Sequence, residues 1–361
     1  VGDDMAWAIP QYSKKEVDNA GEFLAHMKDH MPDTKDDWSE FIEQMQEMFT
    51  VIGNWRSIHS FPLNTFQNGL RKKAKHIDPE SLIAQRIKRL SSIGAKLVRF
   101  PSMQLSQMQD IGGCRAIVPS VAQVRELAFL YKSTQFKHKL VRFDDYIEMP
   151  KTSGYRGVHL VYRYNSDRKE TYNGLKIEVQ IRSKLQHAWA TAVETIGTFV
   201  KQALKSSQGE EDWLRFFALM GSAIAFRERT FMVPHTPGKA ELKRELARYV
   251  TKLNVEGHLH TYGAALKTLE NSTAGDAHYF LLKLDPNAQL TTVTGYKFNE
   301  LERASKDYLD VEQEIVGQPG ADAVLVAVES VNALRRAYPN YFLDTHVFIA
   351  AVKQAIEQGP N

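Results

Sequence analysis

Apolar residues in the first seventy-five positions recur at helical spacing, predicting helices over Lys15–Met31, Asp37–Asn54 and Asn64–Lys75, with Pro32 and Pro62 as breaks. From Leu82 the period shortens to two. Leu82–Lys88 reads as a strand with Arg86 and Lys88 on one face. Ser91 or Ser92 is then expected to cap a short helix in which Ser92 and Lys96 lie one turn apart. A strand over Asp110–Val118, entered through Gly112 and Gly113, leads to a helix at 121–133. An extended stretch Asp145–Met149 and strands Val158–Tyr164 and Leu175–Ile181 follow, then helices Lys184–Phe199 and Glu211–Arg229. Strands interleaved with helices argue for an α/β fold with a mixed sheet.

Pro-His-Thr-Pro-Gly at 234–238 is the clearest linker and divides the chain into 1–235 and 236–361. Beyond it the pattern predicts helices at about 239–253 and 258–270 and a hairpin-like pair, His278–Leu284 and Leu290–Phe298. Helix 299–313, strand Ala323–Glu329 and helices around 330–337 and 344–357 complete a small α/β appendage. There is no internal repeat.

The 361 residues are 43% hydrophobic and 25% charged, which excludes a collagen-like or disordered acidic chain and fits about two globular domains. The longest apolar run, Phe216–Phe226, is bracketed by Arg215 and Arg227 and is too short for a membrane span. Val1–Pro10 lacks the pattern of a secretory signal, so a cytoplasmic location is expected. A single cysteine, Cys114, leaves no intramolecular disulfide and no multi-cysteine zinc site. Charge is uneven: residues 1–50 carry twelve acids and four bases, whereas residues 71–99 carry nine bases and two acids. Such a basic block faces either phosphate or plain solvent.

Four clusters carry candidate chemistry, and each alone also admits a plain structural reading. Arg86-x-Lys88 with Ser92 and Lys96 suits a polyphosphate, or simply a charged surface. Asp110-Ile-Gly-Gly-Cys-Arg115 places an acid at a strand entry, where a hard cation such as Mg²⁺ or an ordinary turn would use it. Pro150-Lys-Thr-Ser-Gly-Tyr-Arg-Gly-Val-His159 presents Lys151, Tyr155 and His159 on one loop, with Tyr155 suited to stacking on a base or to a turn. In Ile177-Glu-Val-Gln-Ile-Arg182, Glu178, Gln180 and Arg182 share one face of a strand whose other face is apolar, either a site or an exposed amphipathic strand.

Together and in this order, the four motifs resemble the synthetase domain of the RelA/SpoT family of alarmone synthetases over about residues 80–200. The resemblance implies a nucleotidyltransferase-like mixed sheet ringed by helices that transfers the β,γ-pyrophosphate of ATP to a ribose 3′-hydroxyl. It implies that Asp110 and Glu178 hold Mg²⁺, with Glu178 also activating the hydroxyl. Arg86 and Arg115 would sandwich adenine, and Lys88, Ser92, Lys96 and Lys151 would grip phosphates. Tyr155 would stack on the acceptor base, with His159, Gln180 and Arg182 as polar neighbours. Independent chemistry agrees, because such a transfer needs positioning and charge neutralisation rather than a covalent nucleophile. Ser153 and Gly157 depart from the asparagine and serine usual at those places, and nothing upstream resembles the family's His-Asp hydrolase domain.

The appendage is cysteine-free, and His258 and His260 read as surface or capping residues, since no further ligands accompany them. Tyr338-Pro-Asn-Tyr341 suits a half-buried turn or a recognition motif. A synthetase followed by such an appendage resembles the fused toxin–antitoxin branch of toxic small alarmone synthetases, the CapRel type. That resemblance implies an anti-phage role, a regulatory domain of pseudo-zinc-finger type covering the site until a phage protein such as a capsid subunit binds, and the tRNA 3′ CCA end as acceptor. Tyr338 and Tyr341 are then expected to occupy the adenine slot between Arg86 and Arg115 by stacking and cation–π contact. The basic residues Arg71, Lys72, Lys73 and Lys75 are the candidate tRNA contacts. GDP or GTP as acceptor, giving a guanosine alarmone, and a catalytically inactive nucleotide or RNA sensor are the competing expectations.

Overall fold

The computed structural model describes residues 7–32, 38–133, 137–203, 210–259, 267–271, 277–285, 287–318, 321–328, 330–342 and 345–357. Three helices come first. Helix α1 (Lys14–Ala25) opens on a capping box in which Ser13 and Glu16 bond each other's amides. Helices α2 (Trp38–Ser57) and α3 (Ser60–Ile77) follow. Pro62 does not break the chain as expected; it sits in the first turn of α3, where a missing N–H leaves no helical bond unmade.

Strand β1 (Leu82–Ile87), helix α4 (Leu90–Arg99), strand β2 (Gly112–Val118) and helix α5 (Val121–Ser133) fall where the pattern placed them. Strand β3 (Lys139–Asp145) ends where an extended stretch was expected, and residues 146–148 form a turn. Among the described residues β3 is the sheet's edge and pairs with β4 alone; its charged residues are exposed or half-buried and none is fully buried, so no apolar alternation marks it. Strands β4 (Val158–Arg163) and β5 (Lys176–Ser183) and helices α6 (Lys184–Ala203) and α7 (Glu210–Glu228) complete the first half.

Past the linker come α8 (Lys239–Lys252), helical residues 255–259, β6 (Lys267–Asn271), β7 (Tyr279–Asp285) and β8 (Leu290–Tyr296). Helix α9 (Leu301–Glu314), strand β9 (Asp322–Ala327), and helices α10 (Val331–Ala337) and α11 (His346–Glu357) close the chain. The helix expected over 258–270 is not continuous: residues 267–271 pair in parallel with β8, so strand pairing overrides local propensity there. Residues 260–266, His260 among them, lie outside the described residues. His258 is a capping histidine, its Nδ1 bonding the carbonyls of Leu253 and Asn254.

Among the described residues nine strands form one sheet in the order β3-β4-β5-β2-β1-β9-β7-β8-β6. It is mixed, since β2–β5 and β6–β8 are parallel and the other pairs antiparallel. The seam between the two halves is β1–β9, with Gln85 opposite Ala327 and Arg86 opposite Val326. Ile177, Val179 and Ile181 of β5 pack into one core with Leu63, Phe66 and Leu70 of α3. The alternation of a strand then turns Glu178, Gln180 and Arg182 to the opposite face. A second core joins Trp189 and Phe216 to Leu246 and Phe348, residues from both sides of the 234–238 segment. A third joins Leu82, Ala84 and Ile117 to Val324, Val326, Tyr338 and Tyr341. No described helix is long and apolar enough to cross a membrane.

Candidate active site

The site lies on the face of the sheet away from α3. Ala84 and Arg86 of β1, Asp110 before β2, Gly113, Cys114 and Arg115 within it, and Glu178 and Gln180 of β5 line one cavity, together with Tyr338 from the appendage. Asp110 accepts from both Lys88 Nζ and Lys96 Nζ at 2.8 Å, and both ammonium groups are partly buried. Burial alone would raise its pKa, but the two cations outweigh it and hold the carboxyl below its ordinary value.

Glu178 is the end of a directional chain of hydrogen bonds. Arg182 donates to the Tyr155 hydroxyl at 2.8 Å, and Tyr155 meets His159 Nε2 at 2.5 Å. His159 Nδ1 then meets Glu178 Oε1 at 2.8 Å, and Gln180 Nε2 donates to Glu178 Oε2 at 2.6 Å. The sequence is consistent with a histidine carrying its proton on Nδ1 and accepting the tyrosine proton at Nε2. Burial works against ionisation of Glu178, yet His159, Gln180 and Arg86 bring its pKa down to about 2. Lys151 Nζ lies 5.1 Å from the Tyr155 ring centroid.

The loop that carries Tyr155 is pinned by close backbone approach. Gly154 has φ +95, and a Cβ there would stand 2.7 Å from the Phe217 carbonyl of α7; a Cβ on Gly221 would meet the Gly154 backbone at the same distance. Arg156, buried, donates to the carbonyls of Gly221 and Phe231, and burial lowers its pKa to about 10. Both glycines and the arginine therefore fix the loop on α7 and leave Tyr155 facing the site.

Both sides of the adenine slot proposed for Arg86 and Arg115 are met by the appendage. The Arg115 guanidinium lies 4.3 Å from the Tyr338 ring centroid and donates to the Ala337 carbonyl at 2.5 Å. Tyr338 is 2% exposed, and its hydroxyl donates to the Gln85 carbonyl at 3.1 Å. Burial lowers the Arg115 pKa, with Arg182 and Arg86 adding and Tyr338 opposing. For Arg86 burial is outweighed by Glu194, Tyr338, Tyr341 and Glu178, which hold its guanidinium above the ordinary value. The cavity that remains has a volume of about 50 Å³. Small-ligand pockets usually span roughly 300–1,000 Å³, so this form has no room for a nucleotide.

Tyr341 does not line that cavity; its hydroxyl bonds Asp322 Oδ2 at 2.9 Å and Arg89 at 3.3 Å. Arg89 also pairs with Asp322. The expected serine cap of α4 is absent: Arg89 is the N-cap residue, and Ser92 Oγ accepts from Arg89 Nε at 3.3 Å. The Leu90 amide, at the start of α4, instead donates to Glu312 Oε1 of α9 at 2.6 Å, while Glu312 Oε2 pairs with Arg56 at 2.6 Å and both side chains are 4% exposed. A carboxylate from the appendage thus occupies the positive end of the helix that follows Arg86-x-Lys88.

Arg71, Lys72, Lys73 and Lys75 are not brought to this cavity. They lie on α3, whose apolar side covers the opposite face of the sheet. Glu312, Arg56, Asp322 and Glu194 are not singled out in the sequence, and Arg89 counts only among the nine bases of 71–99. The one signal was a carboxylate at the end of the stripe Leu301, Ala304, Tyr308 and Glu312, all buried on one side of α9.

Whether Mg²⁺ fits is answered by the donor set. Two hard carboxylates held ionised, Asp110 and Glu178, face one cavity rimmed by cations. That is the number Mg²⁺ takes when substrate phosphates and water complete its shell.

Paired acids, converging cations and a tyrosine stand together on one face of a mixed sheet, a donor set suited to a polyphosphate and a hard cation. Residues 85–198 match the model described as the region found in RelA / SpoT proteins, and the four motifs that line the site fall within or beside that stretch. The GTP pyrophosphokinase YwaC of Bacillus subtilis (strain 168) is 23% identical over 164 residues, covering 42% of this chain and 78% of that protein. GTP pyrophosphokinase YjbM of the same organism is 33% identical over 118 residues, 31% of this chain and 54% of that protein. Among solved structures, the small alarmone synthetase 2 from Bacillus subtilis aligns with a TM-score of 0.41 at 20% identity, covering 49% of this chain and 94% of that one.

Proposed function

We propose that the chain is an ATP-dependent pyrophosphokinase held closed by its own C-terminal segment, and that it acts as an anti-phage toxin–antitoxin in one polypeptide. The observation that carries closure is the Tyr338 ring against Arg115 in the cavity of Asp110 and Glu178. In the open form Arg86 and Arg115 hold adenine, and Lys88, Ser92, Lys96 and Lys151 engage the phosphates. The ribose 3′-oxygen attacks the β-phosphorus, the bond from that phosphorus to the α–β bridging oxygen breaks, AMP leaves, and the hydroxyl proton passes to Glu178. His159 and Gln180 orient that carboxylate, and Tyr155 holds the acceptor base. Asp110 and Glu178 are the residues to hold Mg²⁺, which supplies neutralisation of phosphate charge when bound.

The acceptor of the first reading is the tRNA 3′ CCA end. The cations Arg71, Lys72, Lys73 and Lys75 stand on the far face of the sheet, so they serve only an acceptor large enough to reach round it. A second reading, GDP or GTP as acceptor, is favoured by the names of the two Bacillus subtilis relatives. Label transfer from ATP marked at the β and γ phosphates, offered deacylated tRNA, GDP and GTP separately, decides between them. Label on tRNA supports the first reading, and label on guanosine nucleotides alone replaces it with the second. A phage protein that binds the appendage, such as a capsid subunit, triggers release by preferring the open form. Absence of activation by any phage lysate protein in cells carrying the intact chain contradicts that part.

A further inference from the structure

A second cavity opens at the start of β5, with a volume of about 500 Å³ and no lining residue in common with the catalytic one. Lys14, Arg163 and Lys176 line it, and among the described residues no aspartate or glutamate does. Arg163 and Lys176 face each other across adjacent antiparallel strands, a pairing of like charges that destabilises a sheet when nothing lies between them. Neither Lys14 nor Arg163 has an acidic partner among the described residues, and Lys176 Nζ has only the Gln107 carbonyl at 3.2 Å. Burial lowers the Lys176 pKa and Arg163 and Lys14 lower it further, so the three cations feel one another.

A second observation points the same way. Trp55 lines the cavity at 8% exposure, and its indole N–H is buried without a hydrogen-bond partner. An unmet buried donor costs about 1–3 kcal/mol, so such a group is kept where something else accepts from it. The nearby Asp18 is turned to Ser106, from whose amide and hydroxyl its two oxygens accept at 2.8 and 2.9 Å, and it forms no ion pair with the three cations.

We infer that this cleft is an anion site that takes a polyphosphate group through Lys14, Arg163, Lys176 and the Trp55 indole N–H. Phosphate oxygens satisfy the orphaned donor and separate the three cations at once. The inference stands apart from the proposed activity, since none of these residues touches the catalytic cavity. Tyr12, half-buried at the rim, adds an aromatic wall suited to the base of a nucleotide.

Calorimetric titration of the full chain with sodium tripolyphosphate, ATP and GTP tests this. Lys14→Glu and Arg163→Ala, both at exposed positions, are compared with Lys88→Ala and with a circular dichroism spectrum of each variant. Loss of one charge-assisted contact is expected to weaken tripolyphosphate binding about tenfold in the first two variants and to leave it in Lys88→Ala. Tighter binding of ATP or GTP than of tripolyphosphate assigns the site to a nucleotide; the reverse assigns it to inorganic polyphosphate. Unchanged affinity in Lys14→Glu and Arg163→Ala, or loss of all binding in Lys88→Ala, overturns the inference.

Discussion

Replacing Tyr338 by alanine removes the contact on which closure rests. In the closed form the ring is 2% exposed, stacks on Arg115 at 4.3 Å and donates to Gln85 O at 3.1 Å. Truncating a buried aromatic to alanine costs about 3–5 kcal/mol, within which a desolvated cation–π contact supplies about 2 and a hydrogen bond about 1. All of it is lost to the closed form, because in the open form the ring faces water. At about 1.4 kcal/mol per tenfold, the closed-to-open ratio falls by roughly 100- to 3,000-fold. Apparent ATP affinity scales with the fraction of open molecules, so it rises by up to that factor and levels off once the open form dominates. Tyr338→Phe keeps the ring and loses only the hydroxyl, worth about 1 kcal/mol and so about fivefold. Titration of ATP by calorimetry measures both. An ATP affinity within about twofold of the parent, with the circular dichroism spectrum intact, refutes the reasoning.

Other expectations follow from the same geometry. Glu312→Gln breaks a buried pair with Arg56 and weakens the bond to the Leu90 amide; breaking such a pair costs about 3–5 kcal/mol, so Tm falls and ATP affinity rises as the appendage loosens. The Glu178 pKa drops from 4.5 to about 2 on folding, so its contribution to stability is complete above pH 4.5 and is lost as pH falls toward 2. A Tm profile of Glu178→Gln is therefore flatter than the parent's in that window, and equal slopes contradict the assignment. His159→Phe leaves Glu178 without its orienting donor and lowers transfer by about 10²–10⁴-fold with little change in ATP affinity, measured in an opened variant. Charge reversal of Lys72, Lys73 and Lys75 lowers modification of tRNA but not of GDP or GTP; unchanged tRNA modification removes these residues from the site.

Much of the catalytic half was legible because its chemistry sits on regular elements. The two-residue period of Ile177–Arg182 put Glu178, Gln180 and Arg182 on one face, and the sheet keeps them there. The tyrosine loop declared itself through Gly154, whose backbone no larger residue fits. What escaped notice arises between distant segments. Glu312 stands 222 residues from the amide it bonds, and nothing in its own helix names that partner. Edge strand β3 lacks alternation because neither of its faces is fully buried, and among the described residues β6 is held by its pairing with β8. The basic block 71–99 looked continuous in the sequence. The fold divides it, with α3 behind the sheet and Arg86, Lys88 and Lys96 in front.

The most direct test of a pyrophosphokinase closed by its own appendage is β,γ-label transfer from ATP by the parent, Tyr338→Ala and Tyr338→Ala with Glu178→Gln. The account predicts a nearly silent parent, a strongly active single variant and a silent double variant, with label on one of the three acceptors. Transfer by the parent equal to that of Tyr338→Ala contradicts closure, and transfer that survives Glu178→Gln contradicts the site.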